Sequence, residues 1–161
     1  MNASLLPSRR GVLAGLSGLG GLLLAAPLRA AEPLPEIQVT KDPSCGCCEA
    51  WVTHIRAAGF PVQVTEAPVN PVKARLGVPR SLASCHTAQV GGYVIEGHVP
   101  AGAILRLLAE KPSGTGLAVP GMPVGSPGME ADGVPPDTYD VILFGPELQR
   151  PFARYRGGTP L

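Results

Sequence analysis

Aromatic side chains are scarce in this 161-residue chain: one Trp, three Tyr and three Phe make up 4% of it, and charged residues only 16%. No run of lysine and arginine occurs beyond a single Arg pair, and the formal net charge is +1. A chain so poor in basic patches and stacking rings lacks the electrostatic footprint of a nucleic-acid binder, and that partner is excluded. Histidine is limited to three residues, methionine to three and cysteine to four. Gly and Pro are abundant, at 21 and 19 residues, and predict long loops.

The scarce residues are unevenly spread. Residues 1–30 contain the Arg9-Arg10 pair, then an uncharged Gly/Leu/Ala run ending in small residues around Ala30. "SRRGVLAGL" is similar to a twin-arginine export signal, and the small residues suit cleavage. A permanent membrane anchor is the competing reading, but the run is glycine-rich and only weakly hydrophobic. The expectation is a cleaved signal, a periplasmic mature domain at 31–161 and no stable anchor after processing. Removing Arg9, Arg10 and Arg29 leaves ten basic residues against twelve acidic ones, a net charge of −2.

Three of the four cysteines fall within "SCGCCEAW". In an oxidising compartment two structural disulfides are the plain explanation. Such crowding fits them poorly, because Cys47–Cys48 would be a strained vicinal bridge and Cys45–Cys48 leaves Cys47 to find Cys85. On a helix Cys45 and Cys48 project about 60° apart and Cys47 and Cys48 about 100° apart. Two neighbours that diverge so far do not chelate one small ion easily, but they suit two or more ions bridged by sulfur. The positive end of a helix favours thiolates, and soft bridging thiolates select Cu(I), with zinc as the competitor.

The pattern along the chain predicts a short strand at 36–42, a helix from the cysteines to about Ala58 ended by Gly59, and a strand at 61–67. A helix follows at 70–78 with Asn70 as N-cap and Pro71 at its first position. Strands Thr87–Val90 and Tyr93–Glu96 flank the turn Gly91-Gly92, and a helix covers 101–111. This β-α-β-α-β-β-α order predicts an α/β, thioredoxin-like, four-stranded mixed sheet with helices on both faces. A Gly/Pro-rich extension at 112–161 would hold one further strand, "VILFG", and a tail. In such a sheet the loop "SLASCHTA" faces the start of the cysteine helix and brings Cys85 opposite Cys45 and Cys48.

Further soft donors are His98, at the end of the hairpin, and Met122 and Met129 in "GMPVGSPGM", a loop read as a cover over the cysteines. His86 is expected to point away from Cys85, His54 to be solvated or hydrogen-bonded, and Trp51 to pack as core beside the site.

"DPSCGCCEAW", "SCHTA", "EGHVP" and "VPGMPVGSPGME", in this order from about Ile37 to Tyr155, resemble the CopG-type copper-resistance family of small exported proteins, formerly a domain of unknown function. The resemblance implies a thioredoxin-like fold and a multinuclear copper cluster on Cys45, Cys47, Cys48 and Cys85, with His98 and Met122 as candidate additions. It also implies copper handling alongside other periplasmic copper proteins, with Cu(I)/Cu(II) interconversion an open addition that leaves enzymatic activity undecided. Two other classes stay open: a thiol–disulfide oxidoreductase using Cys45 and Cys48 with Cys47 or Cys85 resolving, and a structural zinc site.

Overall fold

The computed structural model describes residues 32–161; the export signal expected at 1–30 lies outside them. Strand β1 (Ile37–Lys41) leads through a turn into helix α1 (Gly46–Ala57), which returns the chain to β2 (Val62–Glu66) parallel to β1. Gly59, at φ +92°, takes the left-handed conformation that stops α1. Helix α2 (Val69–Arg75) and a single 3-10 turn at Arg80–Leu82 carry the chain to the antiparallel hairpin β3 (His86–Val90) and β4 (Tyr93–Glu96). Both hairpin glycines, Gly91 and Gly92, have positive φ, as a tight two-residue turn demands. Helix α3 (Ala101–Glu110) follows, then β5 (Gly116–Ala118), β6 (Thr138–Gly145), β7 (Leu148–Arg156) and β8 (Thr159–Pro160).

Asn70 is not the cap of α2. That helix begins one residue earlier, with Pro68 at the N-cap position and no side-chain capping bond. Pro68 sets the entry (φ −56°, ψ 120°) and leaves Asn70 inside the first turn.

The larger correction concerns the sheet. It holds eight strands, in the order β2-β1-β3-β4-β5-β6-β7-β8, instead of four. The predicted extension supplies the other half. β5 adds to β4 in parallel, and β6 to β8 continue antiparallel. β5 is three residues long and opens on Gly116, where a Cβ would collide with the Val94 backbone carbonyl. Close backbone approach requires that glycine, and the same glycine hides the strand in the sequence. The stretch expected as a tail is β7, which contains Pro151 and three arginines. The proline is accommodated at a register shift between Val141 and Ile142, where the ladder gives up regular pairing.

The two faces of the sheet bury different sets of residues. Ile37, Val39, Ile95, Leu117 and Leu143 pack with Trp51, Val52 and Ile55 of α1 and with Ile104 and Leu107 of α3. Val94, Ala118 and Phe144, their neighbours in sequence, point the other way and pack with Val78 and Leu82 beside α2. The period-2 alternation therefore persists through β4, β5 and β6, feeding a separate apolar cluster on each face. Among the described residues no helix is long and apolar enough to cross a membrane.

Candidate metal centre

The β1–α1 connection is shaped by Asp42. Its Oδ1 accepts bonds from the Ser44 backbone N–H at 2.9 Å and from Ser44 Oγ at 2.6 Å, and its carbonyl accepts from Cys45 N–H. These bonds, led by the Ser44 hydroxyl, hold the Asp42 carboxyl below its ordinary pKa. The turn places Cys45 at the N-cap of α1 with Cys47 and Cys48 in the first turn. Cys48 is fully buried; Cys45 and Cys47 are half-buried. Lys41, the last residue of β1, reaches Glu49 on α1 and Glu66 on β2, each at 3.0 Å.

Cys85 comes from the loop between the 3-10 turn and β3, and the fold brings it to the other three. All four sulfurs lie within 4.8 Å of one another. Cys47 sits centrally, 3.6 Å from Cys45 Sγ and 3.9 Å from Cys85 Sγ. Cys45 and Cys48 are joined in a disulfide, while Cys47 and Cys85 are free. Burial, then the neighbouring Cys47 sulfur, pushes the Cys85 thiol up to about 11. The thiolate-favouring helix end expected from the sequence thus does not extend to the residue off the helix.

Two histidines stand behind Cys85. His98 Nδ1 lies 2.8 Å from the Pro127 carbonyl, which can only accept, so Nδ1 carries the proton. Nε2 is then the lone-pair nitrogen, and it faces Cys85 Sγ at 3.0 Å. A tautomer fixed by a backbone carbonyl is the usual preparation of a histidine for a soft metal. His86 does not point away as expected. Its ring is fully buried, its Nδ1 is 3.3 Å from Cys85 Sγ, and its Nε2 has no hydrogen-bond partner. It is held against Trp51, with ring centroids 4.3 Å apart, and edge-on to His98. Burial, and after it His98 and Lys73, lowers the His86 pKa far below the ordinary value, so the ring is neutral. Trp51 is wholly buried and donates its indole N–H to the Val99 carbonyl at 2.9 Å. His54 is hydrogen-bonded: its Nε2 accepts the Ala101 N–H that opens α3.

The Gly/Pro loop lies directly over the first turn of α1. A Cβ on Gly128, at φ +86°, would meet the Cys47 carbonyl and the Trp51 nitrogen at 2.7 Å each. Pro127 supplies the carbonyl for His98, and Ser84 Oγ donates to the Gly121 carbonyl at 2.5 Å. Met129 is half-buried within this loop, and Met122 is 53% exposed beside Gly121. The Pro127 carbonyl acting on His98 has no local signature in the sequence. A second unforeseen group is the buried Glu96–Lys73 pair beneath Ser84, whose one signal was a carboxylate closing the apolar run "YVI".

The donor set, four cysteine sulfurs (two of them free thiols) and one prepared imidazole, suits a soft ion far better than a hard one. Comparison with known proteins agrees. No functionally curated protein matches the chain. A family model described as "Protein of unknown function, DUF411" matches residues 82–129, the stretch from the Cys85 loop to Met129. Two solved structures are similar over most of the chain. "Copper resistance protein copG- Form 1" is 46% identical, with a TM-score of 0.71, over 78% of this chain and 100% of that one. "Copper resistance protein copG- Form 2" is 45% identical, with a TM-score of 0.70, over 76% of this chain and 98% of that one. On this identity and coverage the chain belongs to the CopG-type copper-resistance family.

Proposed function

We propose that this chain is an exported copper-binding protein of copper resistance, whose Cys45, Cys47, Cys48 and Cys85 together hold more than one Cu(I) ion as cargo. The convergence of four sulfurs within 4.8 Å carries the reading. Cys47 and Cys48 are adjacent in the first turn of α1, an arrangement that suits sulfurs shared between ions. His98 adds a nitrogen donor through Nε2, and the exposed Met122 an outer thioether. Zinc, which also takes thiolate and imidazole, is the competitor. The relatives named copper resistance proteins support the choice of copper.

The mature domain, residues 31–161 including the extension at 112–161, acts in the periplasm after loss of residues 1–30. There it exchanges copper with other copper-handling proteins. Loading all four sulfurs needs the Cys45–Cys48 disulfide reduced by two electrons, which couples binding to redox state and leaves room for Cu(I)/Cu(II) interconversion. The order β2-β1-β3-β4, with one parallel and two antiparallel pairs, supports reading this half of the sheet as thioredoxin-like.

The same disulfide favours a second reading, a thiol–disulfide oxidoreductase with Cys47 poised 3.6 Å from Cys45 as the resolving thiol. One series separates the two. Protein from a periplasmic extract, its loss of residues 1–30 checked by intact mass, is reduced and titrated with Cu(I) under anaerobic conditions. The expected result is more than one Cu(I) per chain, falling to one or none in Cys47→Ser. A single ion in the wild type, or full stoichiometry in the variant, overturns the cluster. Disulfide reductase activity surviving in Cys47→Ser then favours the exchange enzyme.

A further inference from the structure

We infer that Glu96 is the positioning residue for Cys85, and that the buried Lys73 is there to make its carboxylate tolerable at that place. Glu96 ends β4 and is fully buried. Its Oε1 accepts the Ser84 backbone N–H at 2.6 Å and the Lys73 ammonium at 2.6 Å; its Oε2 accepts the Thr87 hydroxyl at 2.7 Å. Lys73, buried on α2, also donates to Thr87 Oγ1 at 2.9 Å. One carboxylate thus joins α2, the residue before Cys85, the residue two after it, and the strand that leads to His98.

Cys85 lies between these two anchors. No regular ladder holds its loop, because β3 pairing begins only at His86, opposite Lys41. The Ser84 N–H would otherwise be a donor without a partner at the edge of the core, and an anionic oxygen at 2.6 Å is a strong way to fix it. Gly97 completes the fit. At φ +71°, a Cβ there would strike Ser84 Oγ and Cβ at 2.5 and 2.6 Å, so the bare backbone lets the Ser84 loop settle against the end of β4.

A buried ion pair taken alone is weak support for stability, since apolar residues of similar shape often serve as well. Apolar residues cannot hold Ser84, however. The distinctive content of the Glu96 contact is an acceptor aimed at the backbone beside the fourth thiol. The purpose assigned to it rests on the copper reading; its geometry does not.

Two double variants isolate that acceptor. Lys73→Met with Glu96→Gln removes both charges and keeps an amide oxygen for Ser84. Lys73→Met with Glu96→Leu removes both charges and the acceptor, at nearly the same volume. The readout is the alkylation rate of Cys85 in the reduced, metal-free protein, mapped by peptide mass spectrometry, with folding followed by circular dichroism. We expect the Gln variant to stay near the wild-type rate and the Leu variant to react at least about tenfold faster. Its Cu(I) affinity against a chromophoric chelator should fall about 10–100-fold, the usual penalty for losing an outer-shell partner. Equal alkylation rates in the two variants overturn the inference. Failure of the Gln variant alone to fold also overturns it, because the ion pair would then be carrying the fold and not the loop. If wild-type protein binds no copper cluster, the proposed function fails, while the alkylation comparison still decides the role of Glu96.

Discussion

The site has two arms, and each is tied down by a buried lysine, but the ties differ in kind. On the helix arm Lys41 meets Glu49 and Glu66, whose side chains are 56% and 53% exposed. On the loop arm Lys73 meets Glu96, which is not exposed at all. The helix arm can do with a solvated tie, because the hydrogen bonds of α1 already fix the spacing of Cys45, Cys47 and Cys48. The loop arm presents one cysteine from irregular backbone and has nothing comparable. Where secondary structure positions a ligand, charge is an accessory. Where it does not, a buried acceptor has to take its place.

The largest effect should come from breaking the loop tie on one side only. Glu96→Ala leaves the Lys73 ammonium buried without its counter-charge and the Ser84 N–H without its acceptor. Removing one partner of a buried pair costs about 3–5 kcal/mol. Denaturant unfolding should show a loss of that size, enough to unfold a marginal domain outright. A loss no larger than that of an ordinary surface substitution would mean water reaches Glu96, and the contrast between the arms would disappear.

A smaller effect is expected where the cover touches the helix arm. Gly128→Ala sets a Cβ against the Cys47 carbonyl and Trp51 nitrogen and strains a positive φ. The cost should be about 1–3 kcal/mol, the range for a residue held in a sparsely populated conformation. It should be spent locally. Hydrogen exchange should quicken across residues 121–130 and Cys47 should alkylate faster, while β6 and β7 keep their protection. Unchanged exchange in the loop would mean that the cover does not rest on α1.

These positions also mark how far the sequence could be read. The β-α-β-α-β-β-α run, the cysteine helix and the Cys85 loop facing it follow from local periodicity and turn residues, which act over a few positions and leave clear traces. β5 left no trace, since a glycine-led strand of three residues is defined by the backbone it lies against, Val94, and not by its own pattern. β7 was hidden by Pro151, tolerable only because the register shifts there. The four cysteines were legible as a group once the expected sheet set the Cys85 loop against the start of the cysteine helix. His86 was misjudged because alternation along a strand says which face a residue takes, and says nothing of a ring nitrogen 3.3 Å from the preceding residue's sulfur. Lys73 and Glu96 are 23 residues apart, and a pairing at that range has no local signature.

The smallest effect is expected at the helix tie, and it tests the comparison most directly. The two exposed carboxylates share one ammonium, so Glu49→Gln leaves Lys41 bonded to Glu66, and Glu66→Gln leaves it bonded to Glu49. Glu49, then Glu66, raises the Lys41 pKa, so the lysine stays charged through the neutral range and either partner can serve it. Each single variant should shift the denaturation midpoint only slightly, and molar salt, where screening acts within about 3 Å, should erase most of the shift. Cu(I) stoichiometry should not change. If Glu49→Gln instead proves as damaging as Glu96→Ala, and salt does not soften it, then α1 depends on its carboxylate as heavily as the Cys85 loop does. The backbone of the helix would then not be what holds its three cysteines in place.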